Sequence, residues 1–192
     1  MTGRTHDLAA ITALGAVAFA LHPHTITLST VLVAVFANQI GGITPDIDQP
    51  TAPLWKNLPI GHPLGKFTDA LMGGHRFLTH SILGLALFGF LAFTLLKFLS
   101  PIMHSVDTMI VWWAFMIGMV SHLIMDSFTK EGVPWLLPIT TKFGLPPEKA
   151  LRITTGHFVE LFIIFPALLL LDGWYCVSHY HHLLLLMHQY VI

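Results

Sequence analysis

The chain has 192 residues, 54% of them hydrophobic and only 10% charged, with a mean hydropathy of +0.72. A soluble domain carries about 25% charged residues to cover its surface, so this composition excludes one and indicates an integral membrane protein. The net charge of -1 gives no basis for nucleic-acid binding, and the one cysteine, Cys176, excludes an internal disulfide framework and a cysteine-rich zinc knuckle.

A membrane-crossing helix needs about 20 apolar residues, and five segments qualify as candidates: residues 8–21, 25–43, 82–99, 109–125 and 158–175. The first is short and admits another reading. Arg4, the apolar run and Ala18-Phe19-Ala20 also resemble a cleavable secretory signal. Two long connections, residues 44–74 and 127–156, combine Pro and Gly with Trp55, Lys56 and Lys66 in one and Trp135, Lys130, Lys142, Lys149 and Arg152 in the other. Tryptophan beside lysine suits the headgroup level of a bilayer. The tail, residues 176–192, is histidine-rich, and its apolar end is too short to cross. No repeat divides residues 1–192, so the expectation is one all-α, multi-pass bundle of about five helices.

Alternating the helices places eight basic residues on one side: Arg4, Lys56, Lys66, Arg76, Lys130, Lys142, Lys149 and Arg152. Only Lys97 falls on the other. The excess predicts that the first side is cytoplasmic. Histidines outnumber lysine and arginine together, 13 against 9, and histidine is a common metal ligand and acid–base group.

The chemically capable residues gather on that same side. His6 opens the first helix; Asp46 and Asp48, in "TPDIDQP", follow the second; His75 and His80, in "GHRFLTHS", precede the third; His122 and Asp126, in "SHLIMD", close the fourth; His157 and Glu160, in "GHFVE", open the fifth. Ionisable groups at membrane depth are costly and read as functional by default. His122 and Asp126 lie about 40° apart around a helix, and His157 and Glu160 also share a face. His75 and His80 lie about 140° apart on a regular helix, which predicts His75 in the loop and His80 at the helix start. Asp46 and Asp48 diverge in an extended segment, so one suits a ligand and the other a residue that orients a histidine.

Imidazole and carboxylate without thiolate suit Zn, Mn or Fe, as one or two ions. Taken singly, each of these residues has a bland reading as a helix cap or interfacial group; it is their convergence that points to a metal centre. His22, His24 and His104 fall on the opposite side, as do His179, His181, His182 and His188 of the tail. His62 stands alone in the first long connection.

The stretches "TPDIDQP", "GHRFLTHS" and "SHLIMDSFTKEGVPWLLP", with His6 and "GHFVELF", resemble the YdjM-like membrane-bound metal-dependent hydrolases of bacterial inner membranes. The resemblance runs over roughly residues 6–165, and Glu160 fits its pattern better than His157. It implies a multi-pass inner-membrane protein with a metal site and hydrolase activity. It also implies a distant similarity to zinc-dependent phospholipase C, whose His-x-x-x-Asp pair His122 and Asp126 match.

The resulting expectation is a divalent-metal hydrolase of a phosphoester, of a lipid or lipid-linked molecule. The metal set is His6, Asp46, Asp48, His75, His80, His122, Asp126, His157 and Glu160. Asp48 and Glu160 join Arg76 as catalytic residues, and the planar fork of Arg76 suits a phosphate. Thr79, Ser81 and Thr129 add hydroxyl donors. No G-x-S-x-G nucleophile is present. The alternatives are a metal-ion transporter, which favours ligands near mid-membrane, and a structural membrane protein whose polar cluster ties helix ends together.

Overall fold

The computed structural model describes residues 1–21, 26–180 and 184. His22, His24, His181, His182 and His188 lie outside the described residues. Among the described residues the fold is all-helical, with two isolated β-bridges and no strand. Helix α1 spans Gly3–Leu21 and α2 Leu28–Ile43, where Thr27 caps the first turn by accepting from the Thr30 amide. Two short helices follow, α3 (Pro53–Lys56) and α4 (Gly61–Met72). Helix α5 (Ile82–Leu99) is capped by Ser81, and α6 (Thr108–Ser127) by Asp107, which accepts from Met109 and Ile110. A π-helical turn, Glu160–Ile164, leads into α7 (Phe165–Ser178).

Among the described residues, four helical segments have the length and hydropathy to cross a membrane: Leu28–Asp48, Ile82–Ile102, Thr108–Ser127 and Glu160–Ser178. The fifth expected segment, α1, begins upstream of residue 8. It thereby takes in Arg4, His6 and Asp7, which dilute its apolar character. It still packs within the bundle, against α2, α6 and α7.

The α2–α6 seam is the centre of the molecule. A Cβ at Gly41 would meet the Phe115 carbonyl at 2.0 Å, and one at Gly118 would meet the Asn38 carbonyl at 2.1 Å. Small residues thus let the two backbones approach, as helices must when lipid offers no hydrophobic drive toward association. Asn38, wholly buried, donates to the Ala114 carbonyl across the seam at 3.0 Å. Ala34, Val111 and Ala114 form the apolar core beside it. On the outside, Phe36, Phe90, Phe98, Leu170 and Val177 are exposed, the inverse of a soluble surface and right for a lipid-facing one.

The long connections have more order than their composition suggests. Trp55 Nε1 and the Thr68 hydroxyl both donate to the Ile47 carbonyl, at 3.0 and 2.7 Å, and fold α3 and α4 back onto the end of α2. Residues 127–156 form a cap across the ends of α5 and α6. Val133 and Phe143 exchange backbone hydrogen bonds, Ile82 N donates to the Trp135 carbonyl, and Leu145 N donates to the Ser127 carbonyl. The alternation of the long helices brings the starts of α1, α5 and α7 to the same end as the finishes of α2 and α6.

Candidate metal centre

That shared end holds the cluster. His6 comes from the first turn of α1. Asp46 and Asp48 come from a 3₁₀ turn, Thr44–Asp48, that Pro45 starts at the end of α2. The segment is helical rather than extended, yet at three residues per turn the two side chains still diverge. Asp46 faces α6, with Oδ1 3.7 Å from His122 Nε2. Asp48 faces the loop before α5: Oδ1 is 2.8 Å from His75 Nδ1, and Oδ2 accepts from the Arg76 amide at 3.1 Å and from the Thr79 hydroxyl. His75 lies in the loop, and His80 ends a 3₁₀ turn, Leu78–His80, just before α5. This is the placement that their spacing predicts.

Two histidines have their tautomers set by neighbours. His122 Nδ1 donates to the Gly42 carbonyl at 2.7 Å, so its lone pair is on Nε2. The Thr79 hydroxyl donates to Asp48, and its oxygen is 2.9 Å from His80 Nδ1. His80 therefore donates from Nδ1 and keeps its other lone pair, too, on Nε2. Both Nε2 atoms, like His6 Nδ1, are buried and have no hydrogen-bond partner among the described residues. A second group fixing the far nitrogen of an imidazole is a regular feature of metal-ligating histidines.

Asp126 is the hub. Its Oδ1 lies 2.6 Å from the Met1 α-amino group and 3.2 Å from His6 Nε2; its Oδ2 lies 2.5 Å from Arg76 Nη2, 3.5 Å from His80 Nε2 and 3.8 Å from His122 Nε2. The His6 and His122 rings stack at 3.7 Å between centroids. Two triads bring their donor atoms within 4.8 Å of one another: His6, His122 and Asp126, and Asp46, His80 and His122. Orphaned imidazole nitrogens facing carboxylates fit a divalent cation by donor type and geometry. Burial pulls the His80 pKa down, but the carboxylates of Asp126 and Asp48 outweigh it and leave the imidazole above its ordinary 6.5.

Arg76 is held from three directions. Its backbone reaches Asp48, Nη2 reaches Asp126, and Nη1 donates to the Thr129 hydroxyl and the Gly132 carbonyl at 3.2 and 3.4 Å. After Gly73 and Gly74, both at positive φ, Arg76 itself sits at φ 59°. A non-glycine residue in that region is uncommon, and such residues concentrate at functional sites.

Two of the nine expected ligands stand elsewhere. Glu160 is wholly buried, but Thr2 N, the Thr2 hydroxyl and the Thr5 hydroxyl donate to its Oε1 at 2.6–2.8 Å, and Gly156 N donates to Oε2 at 2.8 Å. It fastens the start of α1 to the start of α7. His157 is exposed and joins neither triad. Asp48 and His75 also lie outside the triads, paired with each other, with Asp48 fully buried and its Oδ2 3.7 Å from His80 Nδ1. The sequence reading did not single out Thr2, Thr5 or the Gly42 carbonyl; only the T-x-x-T spacing on the first turn of α1 hinted at a shared polar face.

The YdjM inner membrane protein family profile matches residues 1–190. "Uncharacterized protein YvsG" of Bacillus subtilis (strain 168) is 32% identical over 164 residues, covering 85% of this chain and 88% of that protein. "Inner membrane protein YdjM" of Escherichia coli (strain K12) and of Shigella flexneri are each 32% identical over 125 residues, covering 63% of this chain and 59% of theirs. No solved structure matches. The family description and the YdjM names give a membrane location and no reaction, so hydrolase activity and a phospholipase C likeness remain expectations of the resemblance.

Proposed function

The chain belongs to the YdjM inner membrane protein family, and from that premise we propose that it is a membrane-bound, metal-dependent hydrolase of a phosphoester, with a lipid or lipid-linked substrate met at the cytoplasmic face. The observation that carries the reading is the pair of buried Nε2 atoms on His80 and His122, turned toward Asp126 and without a hydrogen bond among the described residues. His122 has only Nε2 to give, so the triads merge into one set of five donors: His6, Asp46, His80, His122 and Asp126. Zinc suits these donors, as do manganese and iron. An ion held by these residues would supply a water acidified to a pKa of about 7 and would polarise a phosphoryl oxygen.

The chain's own groups supply the rest. His75 donates from Nδ1 to Asp48, which leaves Nε2 able to take a proton and return it. Its side chain is 35% exposed, so the proton has a route to solvent. Arg76 keeps a fixed positive charge against Asp126, and its Nε is the guanidinium donor still without a partner. Thr79 and Asp48 hold His80 in its ligating tautomer.

Elemental analysis of purified, tag-free protein in detergent tests this, beside His80→Ala and Asp126→Ala. Wild type is expected to carry one or two equivalents of zinc, manganese or iron. Both variants are expected to insert, lose the metal and lose hydrolysis of phosphoester substrates. Stoichiometric metal in both variants would show that the ligand set is wrong.

A further inference from the structure

The cap formed by residues 127–156 encloses an open cavity of about 660 Å³, lined by Ile82, Trp135, Leu136, Phe143 and Leu145 on its apolar walls and by Lys142 and Arg152. Ser127 completes the floor. Two features set this cavity apart from a crease between lipid-facing helices. Its shape is fixed by backbone hydrogen bonds, Val133 with Phe143, Leu145 with Ser127 and Ile82 with Trp135. The Trp135 indole is locked by donating to the Ser127 hydroxyl at 2.9 Å.

The charge is the second feature. Ten residues line the cavity; two are cations and none is an acid. Arg152 donates from Nε to the Pro146 carbonyl at 2.8 Å and from Nη2 to the Pro147 carbonyl at 2.9 Å. Both partners are neutral, so its charge is not cancelled. The guanidinium lies so close over Gly144 that a Cβ there would meet Nη1 at 2.3 Å. The fork is therefore held in place, and binding an anion loses little side-chain freedom. Lys142 has no carboxylate partner among the described residues. An apolar wall of this size beside two uncancelled cations matches one ligand chemistry: an acyl chain joined to an anionic phosphate.

We propose that this cavity seats an anionic phospholipid, its acyl chain against Ile82, Trp135, Phe143 and Leu145 and its phosphate between Lys142 and Arg152. The seat adjoins the metal centre through the chain itself, since Ile82 lies two residues from His80 and Ser127 one residue from Asp126. It does not depend on the centre being catalytic.

Native mass spectrometry of the full-length protein, delipidated and offered dioleoyl-phosphatidylglycerol or dioleoyl-phosphatidylcholine in mixed micelles, tests the seat. One phosphatidylglycerol is expected to be retained in preference to phosphatidylcholine. The Lys142→Gln/Arg152→Gln variant is expected to lose roughly tenfold or more of that affinity, with metal content at the wild-type value as the control for folding. Leu145→Trp, which fills the apolar wall and leaves both charges, is expected to weaken lipid retention too. Equal retention of both lipids, or unchanged retention in the double variant, would overturn the proposal. Displacement of phosphatidylglycerol by millimolar inorganic phosphate alone would overturn it as well, by showing a phosphate site with no use for the chain. Metal retained in Asp126→Ala, with lipid still bound, would count against the hydrolase reading and leave the seat standing.

Discussion

Thr79 joins Asp48 to His80 through a single hydroxyl, donating to one and lying 2.9 Å from Nδ1 of the other. Thr79→Val keeps the shape and removes the relay. Metal affinity is expected to fall about 10- to 100-fold, read by competition with a chromophoric chelator; an unchanged affinity would mean that the hydroxyl does not set the tautomer. His80 carries a second prediction. Its Nε2 is the atom of this ring for which a proton and a cation would compete, and Asp126 and Asp48 raise the pKa above 6.5. A raised histidine pKa stabilises the fold below 6.5, and that contribution is lost as pH rises through the folded value. Metal-free protein is therefore expected to melt lower as pH is raised above 6.5. The metal-loaded protein is expected to do the reverse, because acid expels the ion. Parallel thermal melts with and without metal check both signs. The sequence revealed His80, Asp48 and Asp126 because imidazoles and carboxylates are conspicuous in an apolar chain. It could not reveal Thr79 as a relay or the Gly42 carbonyl as an acceptor, since each role exists only through a contact.

At the level of elements, α2 and α6 set the geometry on which His122 depends, for Nδ1 takes its acceptor from the end of α2. Gly118→Val drives a side chain into the Asn38 backbone and is expected to destabilise the protein by about 1–3 kcal/mol or more, with metal lost in parallel. Asn38→Ala removes one interhelical hydrogen bond and is expected to cost only about 0.6–1.7 kcal/mol. Unfolding in mixed micelles compares the two; a larger effect at Asn38 would place the seam's strength in its polar contact rather than in its close packing. The membrane-crossing helices were legible because uninterrupted apolar runs admit little else. Helix α4 was not, because Gly61, Pro63 and Gly65 break the pattern that Leu64, Phe67 and Leu71 would otherwise display. The order of residues 127–156 was hidden for a different reason: backbone hydrogen bonds between distant positions hold it, and they leave no periodicity.

For the whole molecule, helix alternation brings all nine expected ligands to one end, where seven of them cluster with Arg76. The excess of lysine and arginine there predicts its side. A reporter fused after Gly65 is expected to read cytoplasmic, and a periplasmic reading would invert the placement of the centre. Glu160 bears on how such a protein is made. Its donors Thr2 and Thr5 precede it by 158 and 155 residues. Synthesis runs from the amino end, so the start of α1, with Arg4, His6 and Asp7, is made before the three long helices α2, α5 and α6. Only the arrival of α7 supplies the carboxylate that fastens that start. A nascent chain halted after α6 holds the histidines and aspartates of both triads yet lacks this fastening. Among the described helices, the late-made α7 is the one that completes the anchoring of the first.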